Sequence, residues 1–267
     1  MSLFIMSERR IWGTIVCHRR DEYGEIIVAD DGALRTLYFG DGIMQSTIRI
    51  CHPGSLVEDY SQAMMSALLF KNNPRSVLLI GLGGCSLVHF LMTSFPGCFI
   101  DIVEIRQQVI EVAHDFFLLP KENPHLKIFH AAGEDFIRQQ GEGSRNYDLI
   151  FVDAFDDDGP AAALSEMPFL SACRQRLTED GICAINLWHR PKDNFPALYA
   201  AVQEAFEGNT LKILPSEAFW NTIAFGFVKQ PLPGDLPSYR QTARELQQAY
   251  NVNFPKYLKY LCWQNFS

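Results

Sequence analysis

Two aspartates and a glycine turn carry the chemistry that this sequence has to offer. The stretch Tyr147-Asp148-Leu149-Ile150-Phe151-Val152-Asp153-Ala154-Phe155-Asp156 is an apolar run with an acid at its tip and a second acid three residues on. Such a run reads as a strand buried on both faces of a parallel sheet, with Asp153 at its carboxyl end. Two carboxylates placed there suit chemistry on an amine. The competing reading is a loop whose acids, extended by Asp157 and Asp158, cap the next turn.

The crevice those acids would face is set by Arg75 to Glu104. Val77 to Ile80 is a second buried strand, and it runs into Gly81-Leu82-Gly83-Gly84, where missing β-carbons allow a tight turn and close approach of a ligand. A helix from about Ser86 to Ser94 and a strand from Phe99 to Val103 follow, ending in Glu104. Strand, glycine turn, helix, strand and terminal acid form the nucleotide half-site of a doubly wound sheet, with the acid placed for ribose hydroxyls. The dinucleotide fingerprint wants a third glycine where Ser86 stands, so S-adenosylmethionine-type ligands, which need only the turn and the acid, are the preferred class. The alternative is a βα turn closed by glycines, with Glu104 solvated.

The flanking elements position these groups. Thr14 to Val16, Glu25 to Val28, Thr36 to Phe39 and Ser46 to Ile50 read as short strands joined by Asp/Gly turns, Asp30-Asp31-Gly32 and Gly40-Asp41-Gly42 among them. They predict a small antiparallel β-domain that leans on the main domain or on a partner subunit. Ser55 with Glu58 reads as a capping box opening a helix through Leu68. A helix from about Gln107 to Phe117 and a strand from Leu126 to Phe129 come next. Asp135, in Gly133-Glu134-Asp135 at that strand's end, is placed either to meet an adenine amino group or to cap the helix Phe136 to Gln140. Leu164 to Leu177 and Pro196 to Phe206 read as helices and Ile182 to Leu187 as a fifth strand. The pair Leu211 to Leu214 and Ile223 to Val228 resembles the hairpin that closes many methyltransferase-type sheets. The expected division is a β-domain over 1–52, a Rossmann-like catalytic domain over 53–235, and a helical tail over 236–267.

Bulk properties exclude some partners. Hydrophobic residues at 48% and charged residues at 20% are ordinary for a chain of 267 residues with a sizeable core. A net charge of −8 disfavours a nucleic-acid backbone and is compatible with a cationic substrate. The seven cysteines form no C-x-x-C pair, the histidines show no metal-ligand spacing, and no apolar run approaches a membrane span. A reducing, cytoplasmic location without metal or membrane is the expectation, and the opening residues lack a secretion-signal layout.

Together these segments resemble the spermidine synthase family, the polyamine aminopropyltransferases, from about Tyr38 to Lys229. Asp41-Gly42-Ile43-Met44-Gln45 is similar to the family's D-G-x-x-Q, which adds Gln45 to the nucleotide set of Gly81, Gly83, Gly84, Glu104 and Asp135. Asp153-Ala154-Phe155-Asp156 resembles the D-S-x-D signature. The resemblance implies that Asp153 deprotonates the attacking amine and Asp156 holds the diamine. It further implies amine contacts from Asp59, Tyr60, Asn186 and Trp220, and a dimer or tetramer behind a Rossmann-like methyltransferase fold. Departures bear on the reaction. Gly84 stands where the family's loop has the Asp that binds the amine of decarboxylated S-adenosylmethionine. Asp59-Tyr60-Ser61 replaces Tyr-(His/Gln)-Glu, and the Tyr-Pro usual near Phe219-Trp220 is absent. Aminopropyl transfer is the first expectation. Methyl transfer from intact S-adenosylmethionine and a binding module without chemistry are the alternatives.

Overall fold

A computed structural model of the chain describes residues 11–40, 42–139, 145–156, 159–160, 166–188, 195–215, 221–229 and 239–266. Its first unit is an antiparallel sheet of β1 (Thr14–Asp21), β2 (Gly24–Asp31), β3 (Leu34–Phe39) and β4 (Ile43–Arg49), paired in chain order. Period-two alternation splits its side chains. Ile26, Val28, Leu37, Phe39 and Ile48 join the large core beneath the main sheet, while Ile27, Ala29 and Tyr38 pack on the outer face. Arg106, itself buried, fastens this sheet down: its guanidinium donates to Asp21 at 2.7 Å and to the Gly24 carbonyl at 3.0 Å. The sheet therefore leans on the main domain, as four short strands must.

Between the sheets lies α1 (Asp59–Met64), which tightens into a 3₁₀ turn over Met65–Leu69. The capping box expected at Ser55 does not form. The Ser55 N–H is drawn into a turn with the His52 carbonyl, 3.0 Å, ahead of the helix. The N-cap position falls instead to Glu58, whose side chain makes no capping bond.

The main sheet is mostly parallel, as expected. The strands β5 (Ser76–Ile80), β6 (Phe99–Glu104), β7 (Leu126–His130), β8 (Tyr147–Val152), β11 (Leu177–Trp188), β12 (Thr210–Ile213) and β13 (Asn221–Phe227) form seven strands ordered β12-β13-β11-β8-β5-β6-β7. All run parallel except β13, which is antiparallel to both β11 and β12. Two-residue strands β9 (Phe155–Asp156) and β10 (Gly159–Pro160) pair beyond the end of β8. The central strands are buried at every position, Ser76 to Ile80 and Tyr147 to Val152, which is why they read as unbroken apolar runs.

Helices cover both faces: α2 (Ser86–Ser94), α3 (Gln107–Phe116), α4 (Gly133–Arg138), α5 (Met167–Gln175), α6 (Phe195–Ala205), α7 (Tyr239–Tyr250) and α8 (Phe254–Phe266). The last two pack on each other, and Phe254 and Tyr257 are sunk completely into the large core. Helix α4 begins at Gly133 with Ala132 in the N-cap position, so Asp135 lies inside the first turn and does not cap. None of the described helices is long and apolar enough to cross a membrane.

Candidate active site

The chain leaves β5 outward through β6 and β7, then returns to add β8 on the other side of β5. Ligands bind outside the carboxyl ends of the strands at such a switch point. The glycine turn follows β5 and Asp153 follows β8, so both predicted halves of the site meet there. They are joined through backbone: the Gly81 N–H donates to the Val103 carbonyl, and the Asp153 N–H to the Ile80 carbonyl, each at 2.9 Å. Gly81 sits at φ +98°, and a β-carbon on it would lie 2.1 Å from the Asp153 carbonyl oxygen. Only glycine fits between the loop and the acid.

Gln45, Ser46, Tyr60, Gly81, Gly83 and Asp153 are among the residues that line the cleft. Its roof thus comes from β4 and its floor from the glycine loop. Ser46 accepts a hydrogen bond from the Gly84 N–H at 2.7 Å, and a β-carbon on Gly84 would meet the Ser46 oxygen at 2.5 Å and the Phe117 ring at 2.9 Å. Cys85, next along, holds φ +64°, a left-handed conformation that starts α2 at the cleft's edge. Glu104 is buried and accepts from the N–H of Leu82 at 3.0 Å and of Arg106 at 2.8 Å. Burial pushes its carboxyl upward while these donors pull it back. Asp135 is exposed on the first turn of α4, at the same carboxyl edge of the sheet, and is not among the residues lining the cleft.

The amine side is built from side chains that are distant in sequence. The half-buried Asp153 carboxylate accepts from the Asn186 amide at 2.9 Å, and the Asn186 oxygen accepts from the Asn221 amide at 3.0 Å. Both asparagines are buried, on adjacent strands β11 and β13. Burial pushes the Asp153 carboxyl up to about 6, and hydrogen bonds from Asn186 and Tyr60 restrain the rise. The Tyr60 hydroxyl also reaches the Gln45 carbonyl at 3.1 Å, tying α1 to β4 across the cleft. Asp59, expected at the substrate, is held elsewhere: Lys256 and the Tyr257 hydroxyl both donate to one of its oxygens at 2.6 Å. Those bonds anchor α8 to α1. Asp156 lies in β9, paired with Gly159. Trp220 lies outside the described residues.

Three polar residues of this region were missed in the sequence. Ser46 reads as an ordinary strand residue, and Asn221 carries no motif of its own. Glu58 was assigned to a cap, whereas its carboxylate is buried beside Thr47 with burial pushing it up to about 7. Among the described residues no cluster of three or more His, Cys, Asp or Glu is arranged to hold a metal ion.

The chain is similar to known proteins. The family model for the spermine/spermidine synthase domain matches residues 58–189. A polyamine aminopropyltransferase of Neisseria meningitidis serogroup A is 33% identical over 237 residues, covering 88% of each chain. Among solved structures, a probable spermidine synthase from Corynebacterium glutamicum has a TM-score of 0.71 at 17% identity, covering 89% of this chain and 88% of its own. Human methyltransferase-like protein 13 in complex with SAH has a TM-score of 0.60 at 26% identity, covering 76% of this chain and 93% of its own.

Proposed function

Because the chain belongs to the spermine/spermidine synthase family, we propose that it transfers an aminopropyl group from decarboxylated S-adenosylmethionine to a small amine. The observation that carries this reading is Asp153, a carboxylate raised to about 6, at the cleft where the glycine loop begins. The donor brings a sulfonium that activates the adjoining carbon. The amine nitrogen forms a bond to that carbon, the carbon–sulfur bond breaks, and the sulfur leaves as a neutral thioether.

An alkyl ammonium has a pKa near 10.4, so the nucleophile must first lose a proton. Asp153 takes it. Raising the acceptor from 3.8 to about 6 makes that transfer easier by on the order of 3 kcal/mol, before solvent screening of a half-buried group is discounted. Asn186 fixes the carboxylate's orientation and Asn221 fixes Asn186, so one oxygen of Asp153 stays directed at the nitrogen. The glycine loop fits the donor's nucleoside: side chains are excluded at Gly81 and Gly84, and Glu104, held by backbone donors at the end of β6, faces its ribose hydroxyls. Gln45 closes the cleft from above, with Asp135 toward the adenine. The family resemblance assigns Asp156 and Trp220 to the amine as well. Alignment of amine, carbon and sulfur supplies much of the remaining acceleration.

Methyl transfer from intact S-adenosylmethionine is the second reading, and Gly84 favours it, since no acid at that position would repel the ligand's carboxylate. Incubation of the purified protein with each donor and a panel of amines separates the two readings. An acceptor heavier by an aminopropyl group supports the first. A methylated acceptor overturns it.

Free cysteines at all seven positions support a reducing, cytoplasmic setting. Exposed Trp12 and Ile15 beside the edge strand and on it support self-association into a homodimer, which sedimentation at micromolar concentration would detect.

A further inference from the structure

Glu58 is the one described carboxylate whose two oxygens are both sealed from solvent and accept no hydrogen bond from any described residue. The other buried acids have partners. Asp21 has Arg106, Asp101 the Tyr147 hydroxyl, Asp148 the N–H groups of Arg75 and Ser76, Glu104 two backbone N–H groups, and Asp153 the Asn186 amide. Thr47, the neighbouring polar group, shares a 3.0 Å contact with the Thr36 hydroxyl in which either can donate, and its hydroxyl and backbone only partly restrain the rise that burial imposes on Glu58. A buried carboxylate without a partner is strongly unfavourable, and a cation brought to it offsets that penalty.

Its position says which cation. Glu58 precedes the cleft-lining Tyr60 by two residues, and the charge of Asp153 acts on it as its own acts on Tyr60, so it stands behind the amine end of the cleft. The glycine loop supplies no acid there. Leu82, Gly83, Gly84 and Cys85 are uncharged, and the space beside Gly84 is filled by Ser46 and Phe117. Glu104 is engaged with backbone on the far side of the loop. The substrates of aminopropyl transfer bring primary ammonium groups besides the nitrogen that Asp153 deprotonates, one at the end of the donor's propyl chain and one at the far end of a diamine.

We propose that Glu58 is the anionic seat for a primary ammonium of a bound substrate, standing in for the acid that the glycine loop lacks. This inference rests on the aminopropyl-transfer reading and deepens it. The seat is made by local chain geometry: a residue in the N-cap position of a short helix makes no capping bond, and its carboxylate is buried beside Thr47 of β4. Burial holds that carboxyl up to about 7 before a ligand arrives, and the arriving ammonium favours the charged form.

Glu58→Gln and the charge-keeping Glu58→Asp test the seat. Each is titrated with decarboxylated S-adenosylmethionine and with methylthioadenosine, the neutral thioether that lacks the aminopropyl chain and with it both the ammonium and the sulfonium charge. Each is then assayed with putrescine and with butylamine as acceptor. The expected result for Glu58→Gln is a loss of about tenfold or more for one ligand while the counterpart lacking the ammonium in question is unaffected, with Glu58→Asp recovering part of the loss. Loss confined to the nucleoside pair assigns the seat to the donor. Loss confined to the KM for putrescine, with kcat retained, assigns it to the acceptor. Both ligand ratios unchanged within about twofold would overturn the proposal. Glu58→Gln removes an unpaired buried charge and should melt no lower than the parent protein, so a markedly lower melting temperature would reveal a structural role and also overturn it. If the parent protein transfers no aminopropyl group, the functional reading fails separately, and the nucleoside ratio still decides the seat.

Discussion

The two halves of the cleft are built on different principles. On the nucleotide side the working parts are backbone: a glycine turn with no room for side chains, and an acid whose oxygens are held by the N–H groups of Leu82 and Arg106. On the amine side the working parts are side chains from α1, β8, β11 and β13, and two of their carboxyl groups are held upward, Asp153 at about 6 and Glu58 at about 7. The first half is satisfied before any ligand arrives, while the second is left electrostatically incomplete. That difference matches their tasks. A nucleoside needs a fixed shape to bind against, whereas a proton acceptor and an ammonium seat need charge that is costly without substrate.

Substitutions should separate the halves, and the largest effect falls at Asp153. Asp153→Asn should lower kcat by about a thousandfold, within the range for a general base, while nucleoside affinity in calorimetry stays within a few-fold of the parent. Near-normal turnover would remove the base from the account. Gly81→Ala should damage both halves together, because its β-carbon would strike the Asp153 carbonyl. Affinity for the nucleoside and turnover should both fall, with a stability loss of about 2 kcal/mol or more in urea unfolding.

A smaller effect is expected on the pH profile. Asp153 works ionised, so kcat should rise as pH increases through about 6. Asn186→Ala removes a bond that favours the charged form, so this limb should move to higher pH, with Asn221→Ala shifting it less. A limb that stays in place would make the asparagines mere packing.

The smallest effect is on stability. Glu58 has its folded value raised above 4.5 to about 7, so its contribution is fully present below 4.5 and is lost as pH rises through about 7. His89, held neutral by burial, works in the opposite direction and is common to both proteins. The difference in melting temperature, Glu58→Gln minus parent, should therefore grow in the variant's favour between about pH 5 and pH 8. A flat difference would mean that the carboxylate is not buried without a partner.

The same contrast explains what was legible in the sequence. The order of the parallel strands, the glycine turn and Glu104 were readable because each is local: an apolar run of strand length, glycines where β-carbons are forbidden, and an acid one βαβ unit later. Asp153 was readable for the same reason, as the residue that ends a buried strand. The amine half was not, because its contacts join residues far apart, as Asn186 with Asp153 and Asn221. Asp59 was misplaced since nothing near it in sequence announces Lys256 and Tyr257, nearly two hundred residues on. Glu58 was misread because Ser55 and Glu58 have capping-box spacing, while the turn at His52-Pro53-Gly54 carries Ser55 out of the helix.

The measurement that tests the central claim most directly is paired calorimetric titration of the purified protein with decarboxylated and with intact S-adenosylmethionine. Aminopropyl transfer predicts clear preference for the decarboxylated ligand, followed by an acceptor heavier by an aminopropyl group when an amine is added. Preference for the intact ligand, with a methylated product, would contradict it.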